Sequence, residues 1–126
     1  MSRGSTPSCG RSTTTAESDF ARRIGCRDLN EQLAALAADV PAEATLVVFH
    51  TAVLMYLDSS GRQRFADLVR ELPGHWLSIE ARSVTPGIRV RDDVDNESSD
   101  LVLALDGVQL AWAQPHGRAI RWIANP

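Results

Sequence analysis

Apolar residues recur at helical spacing directly after Asp28. One apolar side chain stands every three to four residues along DLNEQLAALAADV, which is typical of one face of a helix. Asp28 is a favourable N-cap, and Glu31 three positions later completes a pattern like a capping box. Pro41 ends the helix. The predicted apolar face consists of Leu29, Leu33, Leu36 and Val40.

Two continuous apolar runs follow, TLVVFH at 45–50 and HWLSIE at 75–80. Continuous rather than alternating apolarity predicts strands that are buried on both faces, as in a parallel sheet. Between the runs, residues 52–57 predict a buried helical turn. Residues 62–72 predict an amphipathic helix that Ser59 or Ser60 caps and Pro73-Gly74 ends. Strand, helix and strand in this order form a right-handed βαβ unit with parallel strands.

The C-terminal part predicts an antiparallel meander. Residues 83–100 are polar and acidic, which is typical of a solvated loop. Strands are expected at 101–105, 108–113 and 118–123. Asp106-Gly107 is a type I′ hairpin signal, and Pro115-His116-Gly117 predicts a second turn. We therefore expect the α/β class, with a partial Rossmann-like, three-layer sheet of parallel strands and a C-terminal antiparallel meander.

The first residues differ from the rest of the chain. Residues 1–19 are rich in Ser, Thr and Arg, have no hydrophobic periodicity, and predict a disordered tail. Residues 20–27 predict a short strand with Ile24 and Cys26 as its apolar positions. We expect residues 20–126 to form a single α/β domain.

Composition excludes several classes of partner. The net charge is −3, and every one of the 13 basic residues is Arg, so the chain lacks the basic excess that is typical of nucleic-acid binding. Cys9 and Cys26 form no CxxC pair, which argues against a zinc site, and no other metal site is expected. No apolar run approaches the roughly 20 residues of a membrane span, and the N-terminus has no signal-peptide core. A cytoplasmic protein without a membrane partner is expected.

Two polar residues end the predicted parallel strands, His50 and Glu80. Ligands of open α/β sheets bind beyond these carboxyl ends, so the two side chains are expected at one edge. Histidine titrates near neutral pH and a carboxylate can orient it, which makes the pair a candidate for general acid–base catalysis. The structural alternative is that His50 bonds to the backbone and Glu80 pairs with Arg82 or a helix N-terminus.

His116 is a third candidate catalytic residue, provided that its turn faces the same edge as His50. The alternative is that Pro115 and Gly117 dictate the turn and His116 has no role in a site. The three tryptophans are expected to pack in the core or on a sheet face, and not to stack on bases; they are Trp76, Trp112 and Trp122.

The blocks VVFHTAVLMYL, RQRF, WLSIE, LALDG and QPHG…RWI, in this order and spacing, resemble the C-terminal portion of the bacterial domain of unknown function 2332 family, which is common in actinobacteria. The resemblance covers most of residues 24–123. It implies no established activity. It also implies that relatives are longer and carry a large region upstream, so the chain is expected to be a truncated or divergent member.

At the level of fold, the order of elements is similar to the second half of a class I S-adenosylmethionine-dependent methyltransferase. The analogy implies that Asp28 lies near the adenine of the cofactor, although an N-cap role is the alternative. However, no glycine-rich G-x-G loop is present to approach such a cofactor. S-adenosylmethionine therefore enters only through the analogy, and the short chain is expected to be inactive alone.

A second function class follows from the same incomplete sheet. Without the first strands, a sheet edge is left open, and an open edge readily pairs with another chain. The alternative function is therefore a non-enzymatic interaction module that self-associates or pairs through this edge.

Overall fold

The structure is a computed structural model that describes residues 28–126. The predicted tail at 1–19 and the predicted strand at 20–27 lie outside the described residues. Every statement about the fold below concerns residues 28–126.

Two helices flank the first strand. Helix α1 spans Leu29–Ala38, and Asp28 caps it by accepting a hydrogen bond from the Asn30 N–H at 2.9 Å. The N-cap is confirmed, although the bonded amide is that of Asn30 and not that of Glu31. Helix α2 spans Ser59–Glu71. The cap of α2 is Asp58, not the expected Ser59 or Ser60, because its carboxylate accepts from the Gly61 N–H at 2.7 Å.

In the part of the chain that the structure describes, one five-stranded sheet contains all the strands, in the order β1-β2-β3-β4-β5. β1 and β2 are parallel, which confirms the predicted βαβ unit, and the other neighbours are antiparallel. Each strand lies within two residues of its predicted bounds. The strands are β1 Val47–Thr51, β2 His75–Glu80, β3 Leu101–Leu105, β4 Val108–Ala113 and β5 Ile120–Trp122.

The turns follow the sequence signals. Asp106 and Gly107 both have positive φ, at 51° and 84°, as a type I′ hairpin requires. The helical turn expected at 52–57 is a short 3₁₀ turn at Leu54–Tyr56, but the expectation that it is buried holds only for Leu54, since Met55 and Tyr56 are exposed. A second 3₁₀ turn, Pro115–Gly117, joins β4 to β5.

The core lies on one face of the sheet. Both helices pack there against β1 and β2, with Leu54, Phe65 and Trp76 at the centre. Over β3 and β4, the same face is covered by the loop at 81–100. Three apolar side chains of that loop, Ile88, Val90 and Val94, pack on Val102, Ala104 and Trp112.

The opposite face has no such cover in the described residues, and we call it the open face. Strand register places on it the alternate side chains of all five strands. Its hydrophobic cluster contains strand residues alone, centred on Leu103, Ala111 and Ala113. The apolar residues of the open face are Val47, Phe49, Leu77, Ile79, Leu101, Leu103, Leu105, Val108, Ala111, Ala113, Ile120 and Trp122, and its polar residues are Thr51 and His75.

The expected three-layer, Rossmann-like arrangement is not confirmed. The mixed α/β class is confirmed, but in residues 28–126 helices cover only one face of the sheet. The strand beside β2 is the antiparallel β3, so only β1 and β2 carry the parallel pairing of a doubly wound sheet. Among the described residues, no helix is both long enough and apolar enough to cross a bilayer.

Candidate functional site

His50 and Glu80 meet at the carboxyl edge of the parallel strands, as the sequence predicted. The Nδ1 atom of His50 lies 2.7 Å from Oε1 of Glu80, and both side chains are almost completely buried. Parallel pairing produces this contact, because His50 lies beside Ser78 in register and Glu80 is two residues further along β2, on the same face.

Trp76 is the third member of the cluster. Its indole Nε1–H donates to Nε2 of His50 at 2.9 Å. A nitrogen that accepts a hydrogen bond carries no proton, so the imidazole is neutral with its proton on Nδ1, which donates to Glu80. The His50 ring also packs edge-on against Phe65, with 5.1 Å between ring centroids. Both ring nitrogens of His50 are therefore occupied by protein groups.

Glu80 also forms hydrogen bonds with the segment that follows β1. The same Oε1 atom accepts hydrogen bonds from the backbone N–H groups of Val53 and Leu54, at 2.9 and 3.0 Å. Both N–H groups lie at the start of the 3₁₀ turn, where backbone donors have no partner within the turn itself. A carboxylate is a strong acceptor for such donors. On the other side of the turn, the Arg62 guanidinium donates from Nε to the Leu54 carbonyl at 2.9 Å.

The electrostatics favour ionised Glu80. Burial raises the pKa of its carboxyl, but the hydrogen bonds from His50, Leu54 and Val53 outweigh burial and hold the pKa below its usual value. The second oxygen, Oε2, is buried and has no hydrogen-bond partner among the described residues. The network is thus a charged acceptor that bonds to one imidazole and two backbone amides.

This arrangement is suited to holding a turn in place. A general base needs a free ring nitrogen within reach of a substrate proton, and Trp76 occupies the nitrogen of His50 that faces away from Glu80. His50 is also the one polar residue among those that line an apolar groove of about 340 Å³ between α1 and β1. The catalytic role of His50 and Glu80 stays a prediction.

His116 lies at the same sheet edge but apart from this cluster. Pairing of Glu80 with Val102 and of Leu101 with Ala113 puts the turn after β4 at the carboxyl edge of β2. Two strand spacings, about 10 Å, separate β4 from β2. His116 is exposed, has φ 61°, and lines a different groove together with Glu97 and Arg118. The structure therefore does not join it to His50 and Glu80, and its catalytic role stays a prediction.

Asp28 is engaged as the cap of α1, and its proposed contact with a cofactor stays a prediction. Its groove is lined mainly by acidic side chains: Glu31, Asp67 and Glu71, with Arg64 as the one cation. In residues 28–126, no three His, Cys, Asp or Glu side chains come together as metal ligands would.

Sequence reasoning missed the role of Trp76 and placed it only among packing residues. Period two along β2 places Trp76 on the face of Glu80, but its contact with His50 also requires the register, in which Trp76 pairs with Val48, two residues before His50. It also missed Asp106 beyond its turn role, since its carboxylate accepts from the Trp76 N–H at 2.7 Å and contacts His75 at 2.9 Å.

Comparison with known proteins gives a match to a protein family. A family model described as an uncharacterised protein conserved in bacteria, DUF2332, matches residues 15–122. No curated protein and no solved structure matches the chain significantly.

Proposed function

The chain belongs to the bacterial family of uncharacterised proteins DUF2332, and from that premise we propose that it is a protein-docking module that binds another polypeptide through the open face of its sheet. One observation carries this proposal. Of the eight large hydrophobic residues that are exposed within residues 28–126, five lie on the open face. They are Val47, Phe49, Val108, Ile120 and Trp122.

The position of these five residues supports docking. Single exposed apolar residues are normal, but a contiguous apolar surface marks a binding site. Phe49 and Trp122 are 57% and 66% exposed, at opposite borders of the sheet, and the cluster of Leu103, Ala111 and Ala113 lies between them. A solvated sheet face normally carries polar side chains, so a face made of apolar side chains is typical of one that a second layer covers.

A dye that fluoresces on apolar surfaces, such as anilinonaphthalene sulfonate, tests the proposal in dilute protein. We expect the wild-type chain to bind the dye and the Phe49→Ser variant to bind clearly less. Tyr56→Ser is the matched control, because Tyr56 is 83% exposed but lies on the 3₁₀ turn, away from the open face. Equal dye binding by all three proteins would contradict the proposal.

A second candidate function rests on the 2.7 Å contact of His50 with Glu80 at the edge where α/β sheets bind ligands. In it, the chain is a divergent or truncated part of a methyltransferase-like protein, with His50, Glu80 and His116 as catalytic residues. The residues present do not fit S-adenosylmethionine, since no glycine-rich loop exists and Asp28 bonds to its own helix. Calorimetric titration with S-adenosylmethionine distinguishes the two: docking predicts no binding, and tight binding would favour the second candidate.

A further inference from the structure

We propose that the partner on the open face is a second copy of this chain, packed sheet against sheet about a two-fold axis. This inference rests on the docking function proposed above and names its partner.

The charge of the open face suits self-association. The side chains that register places on this face include no Asp, Glu or Arg. Its polar positions are Thr51 and His75, at the two ends of the strands. Two copies that meet through this face therefore bring no like charges together and leave no buried charge without a partner.

The chain's own N-terminal segment is a poor cover for the face. Residues 1–27 are mostly polar, and after Met1 their large apolar side chains are Phe20 and Ile24 alone. The segment also joins the fold at Asp28, beside α1, which packs on the opposite face of the sheet. Two large apolar side chains are few for a five-stranded surface, whereas the open face of a second copy supplies a full set of apolar side chains.

The shape of the surface favours a sheet as the partner. Two sheet faces pack about 10 Å apart, with their strands within about 30° of each other, and interdigitate alternate side chains. In a two-fold dimer each copy uses the same patch, so one surface supplies both halves of the interface. Phe49 on β1 and Trp122 on β5 are then both buried in the interface, because they stand at opposite borders of the same face.

The area of the open face limits the affinity that we expect for the dimer. Five strands and about five residues per strand cover roughly 24 by 17 Å, or about 400 Å² in projection. This is at the small end for a specific interface, so we expect a reversible dimer with a dissociation constant in the micromolar range.

Sedimentation velocity of the full chain over a wide concentration range tests the inference. We expect the wild type to pass from monomer to dimer as its concentration rises. Phe49→Ser and Trp122→Ser should each weaken the dimer at least about tenfold, as expected for aromatic residues in an interface core. Tyr56→Ser is the control and should dimerise like the wild type. All three replaced side chains are more than half exposed, so the variants are expected to fold, which thermal melting checks.

Trp122→Ser also separates packing through the face from pairing through the edge of β1. Trp122 lies on β5, at the far side of the sheet from β1, so edge pairing would be sensitive to Phe49→Ser and insensitive to Trp122→Ser. That result overturns the face-to-face dimer. A monomer at every concentration also overturns it, while dye binding that Phe49→Ser reduces would leave the docking function standing. If dye binding is also unaffected, both proposals fail.

Discussion

Glu80 and its three hydrogen-bond donors account for the local geometry of the site. One buried carboxylate oxygen accepts from His50, Val53 and Leu54, and the indole of Trp76 fixes the far side of the imidazole. Removing the charge while keeping the shape of Glu80 therefore weakens several bonds at once. The predictions at this scale concern the proton of His50 and the charge of Glu80.

The tautomer of His50 is the first prediction. Because Nε2 accepts from the Trp76 indole, we expect the neutral imidazole with its proton on Nδ1, the less common tautomer in solution. Long-range proton–nitrogen correlation spectra distinguish the two tautomers. His116, which is exposed and has no hydrogen bond to the cluster, is the internal comparison. A His50 ring with its proton on Nε2 would contradict the network described above.

Glu80→Gln is the second prediction. The amide oxygen still accepts one or two hydrogen bonds, but the charge is lost, so we expect the free energy of unfolding to fall by about 2 kcal/mol at neutral pH. Denaturant unfolding measures the change. Glu71→Gln, at an exposed position on α2, is the matched control and should change stability little.

The third prediction is that the stability of the chain depends on pH through Glu80, which the Glu80→Gln and Glu71→Gln variants test. The pKa of Glu80 is lower in the folded chain than its usual value, so its stabilising effect is fully present above the unfolded pKa. That contribution is lost as the pH falls through the lower, folded pKa. Wild-type stability should therefore fall more steeply on acidification than that of Glu80→Gln, while Glu71→Gln should follow the wild type. Parallel curves for all three would contradict the ionised state of Glu80.

At the scale of elements, β1 and β2 are held in register at both ends. At one end, the N–H of His75, the first residue of β2, donates to the carbonyl of Leu46, the residue before β1. At the other end, the N–H of Ala52, the residue after β1, donates to the Ile79 carbonyl. Each distance is 2.9 Å. Gly74 makes the first of these contacts sterically feasible. Its φ is 98°, and a Cβ at this position would overlap the Leu46 carbonyl oxygen.

Gly74→Ala is the fourth prediction, with Gly107→Ala as its control. Both glycines have positive φ, but Gly107 has no atom within 4 Å of an added Cβ. We expect Gly107→Ala to cost about 1 kcal/mol from backbone strain alone. Gly74→Ala should cost clearly more, because the strand entry must also shift. Unfolding experiments on both variants measure the difference; equal losses would show that the close approach to Leu46 is unimportant.

The sequence predicted the elements well because their signals are local. Continuous apolar runs, the Asp106-Gly107 turn and the break at Pro73 each depend on a few adjacent residues. The pairing of His50 with Glu80 followed from one further rule, that the carboxyl ends of parallel strands share an edge. The bond from Trp76 required the register of β1 against β2, which no local signal supplies.

At the scale of the whole molecule, the main feature is the second face of the sheet, which no other layer covers in residues 28–126. The apolar runs of β1 and β2 predicted strands buried on both faces, yet in residues 28–126 only one face is packed. The apolar pattern indicates that both faces of each strand are buried, but it does not identify which polypeptide covers the second face. Phe49 and Trp122, exposed at the two borders, therefore mark the surface that we propose a partner covers.

Trp122 reports directly on that surface. Trp76 and Trp112 are buried, so quenching of tryptophan fluorescence by acrylamide in the folded chain comes mainly from Trp122, which is 66% exposed. If the open face associates with a second copy, quenching should be strong in dilute protein and should decrease as concentrated protein covers Trp122. Tyr56→Ser should behave like the wild type. Quenching that stays equally strong at every concentration would contradict the account.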